Sequence, residues 1–304
     1  MVQNKLPLVS VIITTYKRAD MLERAVKSVL NQDYKNLEII IVDDNDPNSE
    51  YRINTEAIML KFLNFENIKY FKHGKNLNGS AARNTGIKNA VGEFVCFLDD
   101  DDTYRPEKVR EQVEFLINNR EFNAVYCGWN RDNKEVIPTI SGDLTFEILS
   151  GVSLVYTNVI MMKREVALSF GGWDESFRRN QEAAFLLRYF KCGHKIGVVS
   201  KVLVDFDTSD RSNSSNPQQN EKDFDYFLLT HKEQIENCAS KTPLMKSIIY
   251  SYRYRGVLLS YIKNKDLVGA IRLYIKMIKK YPVRYNADII KYFIRRLQKK
   301  DVFS

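Results

Sequence analysis

FVCFLDDDDTYRPEK, residues 94–108, sets four carboxylates, Asp99, Asp100, Asp101 and Asp102, directly behind the apolar run Phe94-Val95-Cys96-Phe97-Leu98. Such an apolar run bounded by polar residues reads as a buried strand. Four adjacent carboxylates repel one another. Unless a cation sits among them, some must hold raised pKa values or the strand end must fray. Two readings follow: a solvated acidic turn ahead of the next helix, or the seat of a divalent cation.

Working outward, the same pattern recurs twice upstream. Residues 8–13 form a continuous apolar strand followed by Thr14-Thr15-Tyr16-Lys17-Arg18. Residues 37–42 form another, ending at Asp43-Asp44. Between them, Asp20 and Glu23 have capping-box spacing ahead of a helix carrying Met21, Leu22, Ala25, Val26, Val29 and Leu30. A helix over about 49–64, a strand at 68–71 and a helix opened by Asn78-Gly79-Ser80 and broken at Gly92 fill the interval. Alternating strands and helices predict an α/β fold with an open, mostly parallel sheet. Ligands bind at the carboxyl ends of such strands. Three polar clusters, 14–16, 43–45 and 99–102, converge there.

Farther on, residues 123–127, 157–162 and 195–206 read as strands, 171–175 as a turn and 181–191 as a helix. Residues 207–217 are rich in Ser, Asn and Asp and read as a mobile loop. From about 221 the pattern is helical, with breaks near Pro243, Asn264 and Pro282. The expected organisation is a body over 1–220 and a helical extension over 221–304. Charge divides the same way. Residues 241–304 hold 16 Lys and Arg against 3 Asp and Glu, leaving 30 against 35 for the first 240. No apolar run approaches the ~20 residues of a membrane span. The N-terminus reads as a strand, not a signal peptide. Cys96, Cys127, Cys192 and Cys238 show no CxxC pair. Structural zinc and a disulfide framework are therefore not expected, and the expected compartment is a reducing cytoplasm.

Residues 8–18 (LVSVIITTYKR), 39–46 (IIIVDDND), 79–87 (GSAARNTGI), 94–102 (FVCFLDDDD) and 171–193 occur in the order seen in family 2 glycosyltransferases. The chain resembles that family over about 6–206. The resemblance implies the GT-A fold, a Rossmann-like nucleotide-diphospho-sugar transferase body with a mixed, mostly parallel sheet flanked by helices. The C-terminal α-helical extension lies outside it. It implies an inverting transferase using a nucleotide-sugar, most often a UDP-sugar, with a divalent metal, Mn²⁺ or Mg²⁺. The donor's nucleotide would meet Thr14, Thr15, Tyr16 and Arg18, its base Asp43 or, by preference, Asp44. Asn78 and Arg83 would line the donor site. Asp101 would hold the metal, Asp99 would face ribose and sugar hydroxyls, and Asp100 and Asp102 would support them. Glu182 would be the base that deprotonates the acceptor, with Asp174 as the substitute. This chain has Asn45-Asp46 where the family often has Gly-Ser, and Gln181-Glu182 where it often has Glu-Asp or Gln-Asp. Asp210 and Arg211 would fold over the diphosphate.

Two rivals stand beside this reading. Asp99, Asp101 and Thr103 also spell the DxDxT of a phosphotransferase with Asp99 as nucleophile. A GT-A-shaped scaffold that binds nucleotide-sugar without turnover is the other. The basic tail, with Lys276, Lys279, Lys280, Arg284, Lys291, Arg295, Arg296, Lys299 and Lys300 among apolar residues, has several readings. It suits an anionic membrane surface at the inner leaflet, packing on the body, self-association, or nucleic acid as the weakest reading. The expected acceptor is a saccharide, a lipid-linked saccharide or a protein-linked glycan of cell-surface polymers.

Overall fold

The computed structural model describes residues 6–152, 155–209 and 216–297. Asp210, Arg211, Lys299 and Lys300 lie outside the described residues. In chain order the elements are β1 (Val9–Thr15), α1 (Ala19–Leu30), β2 (Leu37–Asp43), α2 (Glu50–Met59), β3 (Ile68–Lys72), α3 (Gly79–Asn89), β4 (Phe94–Asp99) and β5 (Thr103–Tyr104). Then come α4 (Lys108–Asn118), β6 (Ala124–Arg131), β7 (Lys134–Val136), α5 (Thr145–Ser150), β8 (Ile160–Lys163), α6 (Arg164–Ser169), α7 (Gln181–Lys191) and β9 (Ile196–Phe206). The last five are α8 (Pro217–Thr230), α9 (Lys232–Lys241), α10 (Pro243–Lys263), α11 (Leu267–Lys280) and α12 (Pro282–Leu297). The chain divides into two compact units, residues 1–143 with 155–210, and 144–154 with 211–304.

The first unit is a mixed sheet in the order β3-β2-β1-β4-β8-β6-β9-β5, with β7 hairpinned onto β6. The four strands β3, β2, β1 and β4 are parallel. Strands β1 and β2 are buried along their whole length, which is why they read as mostly apolar runs, interrupted by the buried Ser10 and Glu38. Helix α3 packs on β1 and β2, and Gly86 lets it approach. A Cβ there would lie 2.3 Å from Ile12 Cγ2. Beyond β4 the neighbours turn antiparallel through β8, and β6 and β9 then run parallel. Register places Thr14 beside Asp99 and Thr15 beside Asp43. The three polar clusters therefore share one sheet edge.

Three local expectations are corrected. The Asp20–Glu23 capping box does not form: Arg18 is the N-cap of α1 without a side-chain cap bond, and Glu23 pairs with Lys27 and Lys61. The helix expected to 64 ends at Met59 and tightens into a 3₁₀ turn. Residues 157–159 are a 3₁₀ turn, and the strand begins only at Ile160. The reason is Asn158, whose amide bonds both Asp99 and Asp102 and so holds this segment off the ladder.

The second unit is helical, and α5 packs with α9 and α10. Its interior includes Phe227, Ile235, Ile249, Val257, Tyr261, Leu273 and Tyr285. The breaks fall where Pro243 and Pro282 open new helices, as their missing N–H allows at a first turn.

Candidate active site

Asp99, Asp101, Asp102, Arg18, Arg83, Gln181 and Glu182 line one cavity of about 250 Å³. Its construction starts at β4. Asp99 ends the strand, its backbone N–H bonded to Asn158 Oδ1 at 3.0 Å. Arg83, on α3, reaches across to it. Its guanidinium donates to Asp99 Oδ1 at 2.6 Å and to Gln181 Oε1 at 3.0 Å, and lies 4.8 Å from the buried Trp173 ring. Trp173 in turn stacks on Phe185 at 4.2 Å and meets Phe97 edge-on at 5.2 Å. The Gly171-Gly172 turn that delivers Trp173 has φ of +80° and +65° at its glycines, the region where glycine is favoured. Asn84 clamps the same turn, donating to the Trp173 carbonyl and accepting from the Trp173 N–H. The first turn of α7 is thereby joined to the end of β4, and Glu182 sits on that turn.

The four aspartates divide into distinct roles. Asp99 and Asp101 keep 34% and 19% side-chain exposure. Asp101 meets the Arg18 guanidinium at 2.6 Å. Burial, joined by the charge of Asp99, pushes Asp101 above the ordinary carboxylate range against the pull of Arg18. Asp100 is buried beneath the loop after β1, accepting from the Tyr16 N–H at 3.1 Å. Burial raises it to about 7, the neighbouring Thr15 hydroxyl working in the opposite direction. Asp102 is also buried. It accepts from Asn158 Nδ2 and from the Asp207 N–H, and burial with the charges of Asp99 and Asp101 raises it to about 8. Asp102 thus ties β4 to the end of β9.

The donor set suits a hard divalent cation. Oxygen ligands alone face the cavity, and crowded carboxylates of raised pKa are what added positive charge would relieve. Among the described residues no group of three or more His, Cys, Asp or Glu side chains is arranged to hold a metal by itself. The chain would therefore supply only part of a coordination shell.

The nucleotide-side residues separate as well. Thr14 and Thr15 are buried at the end of β1, and Tyr16 is 40% exposed beyond them. Asp43 is fully buried. It pairs with Arg52 Nε at 2.9 Å, accepts from the Tyr70 hydroxyl at 2.6 Å and caps Asn45. Its carboxylate is held from within and joins β2, β3 and α2, so the expected base contact at Asp43 would displace one of these partners. Asp44 organises the turn over 73–78, accepting from His73, Asn76, Leu77 and Asn78. Asn78 caps α3 and donates to the Glu175 carbonyl. Asp174 is not brought to the carboxylates. It bonds Ser176 and lines a separate cavity of about 550 Å³ with Asn84, Trp173, Glu175 and Arg188. Sequence reasoning passed over Arg131, Tyr156, Asn158 and Asp207, which line the Asp99 cavity, and His73, which bridges Asp44 and Thr85. They come from the irregular half of the chain or from isolated positions, where no spacing marks them.

Residues 10–167 match the family model "Glycosyl transferase family 2". The match spans more than half of the chain, and the chain belongs to that family. It is similar to the amylovoran biosynthesis glycosyltransferase AmsB of Erwinia amylovora, 25% identical over 304 residues, with 96% of this chain and 95% of that protein covered. In fold it is similar to S. aureus TarS 1-349 in complex with UDP-GlcNAc, with a TM-score of 0.67, 19% identity, and 97% and 88% of the two chains covered. It is also similar to the mannosyltransferase PcManGT from Pyrobaculum calidifontis in complex with GDP-Man and Mn²⁺, with a TM-score of 0.59, 16% identity, and 98% and 89% covered. The protein is a glycosyltransferase with the GT-A fold and a C-terminal helical region. That assignment sets aside the phosphotransferase reading of Asp99 and Thr103. No helix among the described residues is long and apolar enough to cross a membrane.

Proposed function

We propose that this glycosyltransferase is inverting and metal-dependent, and moves a sugar from a UDP-sugar to a hydroxyl of a saccharide, lipid-linked or protein-linked glycan acceptor. The observation that carries the reading is the single cavity shared by Asp99, Asp101, Arg83 and Glu182. The similarity to TarS bound to UDP-GlcNAc supports uridine, and the similarity to PcManGT bound to GDP-Man and Mn²⁺ supports a metal.

In this reading the base of the donor lies by Thr14, Thr15 and Tyr16. Asp44 takes the base contact by exchanging the side-chain amide of the exposed Asn76. Asp101 holds the metal, and Asp99, fixed by Arg83, meets the ribose and sugar hydroxyls. A divalent cation there, when bound, offsets the charge of the departing nucleoside diphosphate. Glu182 accepts the proton of the acceptor hydroxyl while that oxygen attacks the anomeric carbon. The bond to the diphosphate breaks on the opposite face and its electron pair leaves with the phosphate oxygen, so the anomeric centre inverts. The bonds from Gln181 to Arg83 and from Arg83 to Asp99 keep base and sugar-binding carboxylate in register, which is the positional contribution to the rate.

The helical region supports a peripheral contact with an anionic membrane. On α11, Val268, Ile271 and Ile275 are exposed at helical spacing, and on α12 so are Val283, Ile290 and Ile294. Lys276, Lys279, Lys280, Lys291 and Arg296 are exposed on the same helices. Apolar stripes flanked by cations suit the headgroup boundary, and equal positive charge opposes pairing of two such faces.

The test is calorimetric titration of UDP, GDP and CDP, with Mn²⁺ and with EDTA, followed by a screen of UDP-sugars for transfer. Metal-dependent UDP binding with transfer supports the reading. Tight UDP binding without transfer or donor hydrolysis supports a scaffold instead. Absence of nucleotide binding overturns the proposal.

A further inference from the structure

Arg131 is the last residue of β6. Its backbone is paired on both sides, with Lys134 across the hairpin and with Phe206 of β9. The hairpin turn is Asp132-Asn133, with φ of +54° and +58°. Such a two-residue turn fixes the register of the strand end. The guanidinium is flanked by two rings. Its carbon lies 4.9 Å from the Tyr156 ring centroid and 4.6 Å from that of Phe206.

Among the described residues the Arg131 side chain has no ion pair and no hydrogen bond, and its Nε is buried without a partner. The two other arginines lining this cavity are each paired, Arg18 with Asp101 and Arg83 with Asp99. The carboxylate whose charge Arg131 touches, Asp102, already accepts from Asn158 and from Asp207 N–H. A guanidinium offers five N–H donors in a planar fork that fits phosphoryl oxygens two at a time. Here the fork is oriented in advance by two rings and a closed strand end, so little ordering remains to be done when a ligand arrives.

We propose that Arg131 is an oxyanion-binding residue of this cavity and receives a phosphoryl group through its unused N–H donors. The inference rests on the reading of the cavity as the transfer site. Two sources share this chemistry: the terminal phosphate of the donor's diphosphate, and a phosphate carried by the acceptor. In the first case Arg131 also stabilises the charge that gathers on the leaving phosphate as the bond to the anomeric carbon breaks.

The experiment is calorimetric titration of UDP, UMP and glycerol phosphate, each with Mn²⁺, into the full chain and its Arg131→Gln and Arg131→Lys variants, with melting curves for all three. For a donor contact, UDP binds at least about tenfold more weakly to Arg131→Gln, as expected for a lost charged hydrogen bond, while UMP is unchanged. For an acceptor contact, glycerol phosphate binding is lost and UDP is unchanged. Arg131→Lys, which keeps the charge without the fork, recovers only part of the loss in either case. If a folded Arg131→Gln binds UDP and glycerol phosphate as the unaltered chain does, the proposal is overturned. If Arg131→Gln melts early, the same equality in Arg131→Lys overturns it. An unaltered chain that binds glycerol phosphate through Arg131 but no UDP sinks the donor reading and leaves this one standing. Binding of none of the three refutes both.

Discussion

Arg18 and Asp101 lie 2.6 Å apart, guanidinium to carboxylate, at the mouth of the acidic cluster. Arg18 also stands 3.8 Å from Asp100. The cluster therefore carries its own counterion, and under the proposed function Asp101 is the carboxylate that counterion and a metal would share.

That sharing predicts opposite effects for the two partners. Asp101→Ala should abolish Mn²⁺-dependent UDP binding. Arg18→Ala should tighten Mn²⁺ itself, read by metal titration without nucleotide, because the competing cation is gone. Unchanged Mn²⁺ affinity in Arg18→Ala would show that Arg18 and the metal do not compete for Asp101.

Glu182 and Asp174 occupy different cavities, and their variants should separate. Glu182→Gln should lower kcat about 10²–10⁴-fold, the usual range for a lost general base, with UDP affinity unchanged. Asp174→Asn, whose carboxylate bonds only the local Ser176 turn among the described residues, should leave kcat within a fewfold. Steady-state transfer assays decide, and the reverse pattern would move the base to Asp174.

Acid should stabilise the ligand-free protein in a defined window. Burial holds Asp100 at about 7 and Asp102 at about 8, above the ~4 of an unfolded Asp. Between those limits the folded state binds more protons than the unfolded one. Stability from these groups is thus present at the acidic end and lost as pH rises toward 8. Melting temperature measured from pH 5 to 8.5 should fall with rising pH, and Asp100→Asn should flatten the slope. Mn²⁺ competes with protons for the cluster, so its stabilisation should be larger at pH 8 than at pH 6. A slope identical in Asp100→Asn would count against the assignment.

Two buried positions should cost stability rather than chemistry. Asp43→Ala leaves the Arg52 guanidinium, 5% exposed, without its carboxylate. The expected loss is about 3–5 kcal/mol, as for a broken buried pair. Gly86→Ala drives a methyl into Ile12 and should cost about 1–3 kcal/mol by overpacking. Denaturant titration measures both; a neutral Asp43→Ala would mean that Arg52 finds other partners.

Replacing Val268, Ile271 and Ile275 by Ser should weaken binding to vesicles rich in phosphatidylserine and leave melting temperature nearly unchanged, because all three are exposed. Unchanged vesicle binding would remove the membrane contact.

The parallel half of the sheet was readable because β1, β2 and β4 are buried almost throughout and so are mostly apolar, while β3 at the edge is only half-buried. The residues after those strands were readable for the same reason, since parallel strands bring their carboxyl ends to one edge. The antiparallel half was harder. Strand β5 has two residues and β7 three, too short for any periodicity. The turn at 157–159 follows from the amide of Asn158, which a β-branched run hides.

The sequence by itself determined the fold class, the order of the strand-end clusters and the family, because local burial and spacing write these into contiguous residues. Tertiary structure decided which partners Asp43 and Asp44 hold, which cavity Glu182 and Asp174 each line, and that Arg131 lines the same cavity as Asp99 and Asp101. Those outcomes depend on partners from Arg52 to Phe206, far apart in the chain. Only the packing of the sheet with its helices and loops brings such partners together.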